Sequence, residues 1–217
     1  MDNQKSGFTL VELLASIAII GILTSMLVPA INKFMEEGRK TKGNNALSQI
    51  AKAYLQYIST NKDGATIDKA DKVSDWAFIL AKAGCLNDPR MYIFPDDIGI
   101  NKITSKMICV PPNGTPDVAF AKATAFSVNV AIGIPPDADP SITPIAWTRG
   151  LQANGKWSPS GVYGDKGGFI AFLDGHVEWF RDLGTDATEG KLVKSSDGSP
   201  TNNILEALHG GTSIPSL

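Results

Sequence analysis

The sequence predicts an α+β protein: one long N-terminal helix, apolar in its first half, packs its second half on a small antiparallel sheet, with a short second helix beside it. Three observations predict this. From Phe8 to Ile31 the chain is apolar except for small polar residues and Glu12, the one ionisable side chain in that run. Leu47, Ile50, Ala51, Tyr54, Leu55 and Ile58 then recur three and four apart, the spacing that lines one face of a helix. Further on, Gly168-Phe-Ile-Ala-Phe-Leu173, Asp174-Gly175 and His176-Val-Glu-Trp-Phe180 read as two strands around a tight turn.

The long helix is expected from Phe8 to about Ser59. Its first part, about 24 residues at 1.5 Å each, covers roughly 36 Å and exceeds a hydrocarbon core of about 30 Å. It can therefore cross a membrane once. Thirteen Leu, Ile, Val and Phe side chains lie in that run. At roughly −0.3 to −0.6 kcal/mol each, they outweigh the roughly 2.5 to 3.5 kcal/mol that a mid-helix charge costs. Pro29 removes a backbone hydrogen bond, and Gly38 and Gly43 each lower helix preference by about 1 kcal/mol, so gentle bends are expected there.

After a polar loop from Thr60 to Val73, Ser74 reads as an N-cap, with Asp75 in the first turn. Trp76, Ile79, Leu80 and Ala83 form the buried face of this second helix, and Gly84 is its stop. Asn87-Asp88-Pro89 breaks the chain, and Met91-Tyr-Ile-Phe94 before Pro95 reads as a short strand or extended edge. A further strand falls within Ala125 to Ile134, firmest at Val128 to Ile132. A proline-rich loop follows, Ile145 to Thr148 returns to the sheet, and Asn154-Gly155 is a turn. A two-residue type I′ turn at Asp174-Gly175 sets Leu173 opposite His176, Phe172 opposite Val177 and Ile170 opposite Trp179. Phe172, Val177, Ile170 and Trp179 are then expected on the core, against the helix that carries Tyr54 and Ile58. His176 and Glu178 fall on the other side.

With 217 residues, 43% of them hydrophobic and 19% charged, the chain suits one folded domain behind the apolar segment. A net charge of −2, and cations between Arg39 and Lys42 with no interleaved aromatics, argue against a nucleic-acid partner. No Gly-x-Ser-x-Gly, His-Glu-x-x-His, phosphate loop or dinucleotide fingerprint occurs, so no enzyme is indicated. His176 and Glu178 share a strand face, but His209 is the only other histidine and no zinc-type spacing surrounds it. Cys85 and Cys109, the only cysteines, permit one disulfide closing a loop of about 25 residues, worth roughly 3 kcal/mol; two free thiols are the alternative.

Met1 to Gly7 is short and polar and precedes the apolar run, unlike a secretory signal, whose cleavage site follows its apolar region. Gly7, Phe8, Glu12 and Pro29 at their fixed spacing resemble the class III leader of type IV prepilins and type II secretion pseudopilins. The resemblance implies a leader at 1–7, a transmembrane and assembly helix at 8–31, and a periplasmic pilin-like domain at 32–217 that includes the second half of the long helix. It implies a prepilin peptidase that cleaves after Gly7 and methylates the amino group of Phe8, leaving a single-pass subunit in the bacterial inner membrane. Glu12 is then expected to face the Phe8 amino group of a neighbouring subunit; the alternative is that it snorkels to the headgroups. Lys33, Arg39, Lys40 and Lys42 follow the span while only Lys5 precedes it, and that count alone would hold the large C-terminal part in the cytoplasm. The leader motif takes precedence.

The Asp174-Gly175 hairpin is also similar to that of prepilin-like proteins with a His, nine residues, then Asp-Gly; Gly164 stands where that His would be, so its role does not carry over. Major pseudopilins often bind calcium in a C-terminal loop. Asp182, Asp186, Glu189 and Asp197 offer acidic oxygens here, with a solvated acidic loop as the other reading. No other cofactor is expected. The resemblance implies a pseudopilin that polymerises with itself and other pseudopilins into a periplasmic pseudopilus, working with an inner-membrane secretion platform in type II protein secretion. The alternative is a minor type IV pilin with an adhesive or ligand-binding role, to which Trp147, Trp157 and Tyr163 would contribute. A membrane-anchored hydrolase is a third class, lacking a visible catalytic cluster.

Overall fold

Fifty-one consecutive residues with helix-compatible side chains build α1, Leu10–Thr60, which runs unbroken through Pro29. The computed structural model describes residues 9–60, 66–97, 99–100, 105–110, 114–184, 189–209 and 212–214. The chain divides into two units, 1–41 and 42–217, and α1 contributes to both. In the first unit its large apolar side chains, from Leu10 to Ile31, are exposed. In the second unit Gly43, Ala46, Leu47, Ile50, Ala51, Ala53 and Tyr54 are buried. The expected stripe is therefore core up to Tyr54, while Leu55 and Ile58 are half-buried at its end.

The second helix is α2, Val73–Lys82. Ser74 does not cap it. Val73 and Ser74 are both buried inside the first turn, Lys72 is the N-cap, and the Asp75 carboxylate accepts the Lys72 N–H at 3.1 Å. Burial of Val73 places the helix start one residue before the hydroxyl that looked like a cap. Ala77 and Ala81 are buried with Trp76 and Leu80, whereas Ala83 is exposed. Gly84, at φ 75°, ends the helix in the left-handed conformation that glycine adopts freely.

The stretch expected as a strand at Met91–Phe94 is a 3₁₀ turn, Pro89–Met91, followed by irregular chain. Asp88 caps that turn by accepting the Arg90 N–H at 2.9 Å, and Pro89 presets its first φ, which outweighs the strand preference of Tyr92 and Ile93. Both residues are buried all the same.

Beyond it come β1, Cys109–Val110, and β2, Thr115–Pro116, paired as a small ribbon, then α3, Val118–Ala121. The main sheet is antiparallel, made of β3, Val128–Val130; β4, Pro144–Thr148; β5, Gly168–Phe172; and β6, Val177–Phe180, in that order. A last ribbon of β7, Leu192–Val193, and β8, Pro200–Thr201, carries α4, Ile204–Ala207. Asn154-Gly155 makes the expected turn, with Leu151 bridged to Trp157.

The hairpin forms, but in another register. Phe169 faces Trp179, Ile170 faces Glu178 and Ala171 faces Val177, one residue from the expected pairing. Type I′ needs positive φ at both turn residues, yet no non-glycine residue described has one; only Gly175, at φ 92°, does. The turn is instead a three-residue loop, Leu173-Asp174-Gly175, closed by Gly175 N–H to the Phe172 carbonyl at 2.9 Å and Phe172 N–H to the His176 carbonyl at 3.0 Å. Slipping by one exchanges the faces. Trp179 and Val177 share a face with Phe169 rather than with Ile170, and Ile170 is buried across from the exposed Glu178.

Aromatic rings tie α1 to the rest of the second unit. Tyr54 stacks on Trp76 at 5.6 Å, and edge contacts continue through Tyr92 and Phe120 to Phe126, just before β3. Phe169, Trp179 and Tyr163 form another edge-on cluster, and a Cβ at Gly43 of α1 would collide with the Tyr163 hydroxyl. One buried ion pair crosses the loops: Arg149 Nη2 donates to both oxygens of Asp97 at 2.8 and 3.0 Å. Ser127 Oγ donates to the same carboxylate at 2.9 Å, and Arg149 Nη1 reaches the Ser160 carbonyl.

Candidate functional site

The residues with functional promise gather at the start of α1. Thr9 is the N-cap, and Glu12 sits three residues on, which makes Thr-x-x-Glu a capping box. Thr9 N–H and Thr9 Oγ1 each donate to Glu12 Oε2 at 2.8 Å, and Glu12 N–H returns a bond to Thr9 Oγ1 at 3.3 Å. The carboxylate thus satisfies helix-end donors and lies beside the positive end of the helix dipole. The Thr-x-x-Glu spacing that signals this box is present in the sequence, beside the lone charge of Glu12.

The other polar groups of the apolar run close on the helix itself. Ser16 Oγ donates to the Glu12 carbonyl at 2.8 Å, Thr24 Oγ1 to Ile20 at 2.8 Å and Ser25 Oγ to Ile22 at 2.7 Å. Hydroxyls returned to the backbone need no partner in hydrocarbon. Helix α1 contains a stretch with mean hydropathy 2.3 and nothing buried, long and apolar enough to cross a membrane. Pro29 lies within this helix. Gly7 and Phe8, the expected cleavage and methylation positions, lie outside the described residues.

Lys40 and Lys42, after the span, have carboxylate partners. Lys40 Nζ is 3.9 Å from Glu36 and 3.5 Å from Glu37, and Lys42 Nζ is 2.7 Å from Asp96.

The remaining expected positions are scattered. Asp174 and Gly175 form the hairpin tip. His176 Nδ1 lies 2.5 Å from Asp174 Oδ1, and its ring stacks on Phe172 at 4.2 Å. Burial pushes the Asp174 carboxyl up, but the hydrogen bonds from the His176 main chain and ring together outweigh it and hold the group below its usual range. Asp182 is lowered chiefly by the Lys191 ammonium at 2.7 Å, then by the Gly184 N–H. Asp197 accepts from Ser199, and Asp186 lies outside the described residues. Among the described residues no group of three His, Cys, Asp or Glu is placed to hold a metal ion.

Cys85 and Cys109 are both free thiols, so of the two alternatives the structure holds the unbridged one. Asn87 clips these segments together: its Oδ1 accepts from Ile108 and Cys109 N–H at 2.9 and 2.7 Å, and its Nδ2 donates to the Cys109 carbonyl at 3.1 Å. Trp147 and Trp157 are buried and Tyr163 is half-buried, so the three do not form an outward aromatic surface.

Residues 2–28 match the family described as the prokaryotic N-terminal methylation motif. Competence protein ComGC of Bacillus subtilis (strain 168) is 32% identical over 98 residues, which are 45% of this chain and 97% of that protein. No solved structure matches the chain. A relative at that identity, matched along almost its whole length, together with the N-terminal motif, shows that the chain belongs to the type IV pilin-like family, as a structural subunit.

Proposed function

We propose that this subunit is cut after Gly7, methylated on the amino group of Phe8 and held in the inner membrane by α1, with residues 32–217 on the periplasmic side. From there it assembles through its apolar helix into a short pseudopilus that serves type II protein secretion. The prepilin peptidase, other pseudopilins and the inner-membrane secretion platform are its partners, and its role is mechanical rather than enzymatic. The observation that carries this reading is a helix start whose large apolar side chains, Leu10 to Ile31, are all exposed, with Glu12 as its sole charge between Thr9 and Ile31. In the fibre, Glu12 meets the Phe8 amino group of a neighbour, and each neutralises the other where water is absent.

Glu12→Gln tests this with the cap preserved, because glutamine serves equally at the third position of a capping box. The variant is expected to insert and be processed yet fail to form fibres, as seen by shearing and immunoblotting. Normal fibres from it would overturn the charge pairing.

The match to a competence protein supports a second reading, a pseudopilus for DNA uptake. Deleting the gene and measuring both exported protein and transformation frequency separates the two. Loss of export alone supports the first, and loss of transformation alone supports the second.

A further inference from the structure

The apolar surface of α1 does not stop at Ile31. Phe34 is 76% exposed and Met35 64%, the former above every apolar side chain in the span itself. At 100° per residue, Leu27, Val28, Ile31, Phe34 and Met35 fall within one arc of about 120°, with Gly38 inside it. Lys33, Glu36, Glu37 and Lys40 fall together on the opposite arc, where Lys40 bridges Glu36 and Glu37. This segment is apolar on one side only, unlike the all-round apolar run before it. From Leu10 to Met35, about 26 residues extend about 39 Å, beyond a hydrocarbon core of about 30 Å but within the 40 to 45 Å that includes the headgroup layers.

We propose that, in the unassembled subunit, Phe34 and Met35 are a one-sided interfacial anchor, seated at the boundary between acyl chains and headgroups of an anionic bilayer. The partner is a lipid surface. A one-sided anchor makes the helix leave the bilayer tilted, its Ile31-Phe34-Met35 side lower and its Lys33-Glu37-Lys40 side in water, which takes up the excess length. Lys33, on the watery side at the boundary, is placed to meet anionic headgroups. This inference rests on the membrane reading of α1 above.

The unaltered full-length chain, reconstituted sparsely in phosphatidylethanolamine and phosphatidylglycerol vesicles, tests it. A trace phospholipid with a diazirine near the glycerol end of its acyl chain supplies the label, and trypsin releases residues 34–39 as one peptide. Carbene adducts are expected on Phe34 and Met35 at a yield comparable to the peptide ending at Lys33, with peptide 157–166 at background. If the spanning peptide is labelled and 34–39 is not, the anchor is overturned while the membrane reading stands. If neither is labelled, the membrane reading itself falls. Adducts confined to Glu36 and Glu37 would also overturn the proposal, because they would place the opposite side of the helix in lipid. A second readout uses Phe34→Ser with Met35→Ser: loss of the 34–39 adducts with the spanning adducts intact is expected. Unchanged labelling of the variant would show that the two side chains do not set the depth.

Discussion

Glu12 closes the capping box with Thr9 and, in the assembly proposed above, pairs with Phe8 of a neighbour, two roles that a single substitution to alanine would confuse. Glu12→Ala removes both the charge and the carboxylate half of the capping box, leaving the Thr9 N–H without its acceptor while Thr9 Oγ1 still accepts the residue-12 N–H. Faster amide exchange over residues 9–13 is expected from Glu12→Ala and not from Glu12→Gln, measured by hydrogen exchange in detergent. Asp97 and Arg149 form the other residue-scale feature with a large expected effect. The Asp97 side chain is 1% exposed, and removing its partner leaves a charge buried with two remaining donors. Arg149→Met is expected to destabilise the fold by about 3 to 5 kcal/mol, read as a lower urea midpoint with an unchanged slope. Neither residue stood out in the sequence. A buried ion pair between positions 52 apart is a tertiary fact, with no local spacing to announce it.

At the scale of elements, the legible parts were those with a long period or a covalent constraint. The stripe from Leu47 to Tyr54 repeats often enough that one exception does not change the assignment, and Gly84 stops α2 because few other residues accept its backbone angle. What escaped was what hangs on one residue of phase. The hairpin was plain from Asp174-Gly175, but its register turned on whether Asp174 takes a positive φ. Asp174 uses its carboxylate to accept the His176 N–H at 3.0 Å, a local bond compatible with a three-residue loop. Every facing pair of β5 and β6 follows from that choice. Gly175→Ala puts a Cβ at φ 92° and is expected to cost about 1 to 2 kcal/mol, detectable as a lower thermal midpoint. Likewise the strand preference of Met91–Phe94 was real but weaker than an Asp-Pro cap beside it. In the candidate site, Glu12 and the apolar run were legible, whereas the Thr9 bonds depend on the helix starting at Leu10, a boundary that periodicity alone does not set.

For the whole molecule, the burial of two tyrosines sets an alkaline limit. Burial drives the hydroxyls of both Tyr54 and Tyr92 far above the ordinary tyrosine range, because a phenolate in the core would lie out of water. Their folded-state values are raised, so the stability they confer is complete below about pH 10, where the unfolded chain also keeps its protons. Above that, only the unfolded chain ionises, and stability is expected to fall by about 1.4 kcal/mol per pH unit for each tyrosine. Urea midpoints on either side of that threshold will show the decline, and Tyr54→Phe with Tyr92→Phe is expected to flatten it. The curve should not shift below neutrality on their account.

The hydroxyls of Ser16, Thr24 and Ser25, turned back on their own helix, carry a mechanical corollary. A rod that offers its neighbours hydrocarbon and no polar foothold resists sliding and rotation only through shape, so copies pass one another over low barriers. In the assembly proposed above, axial alignment is then chosen at the single acidic side chain of the apolar run, Glu12, near one end.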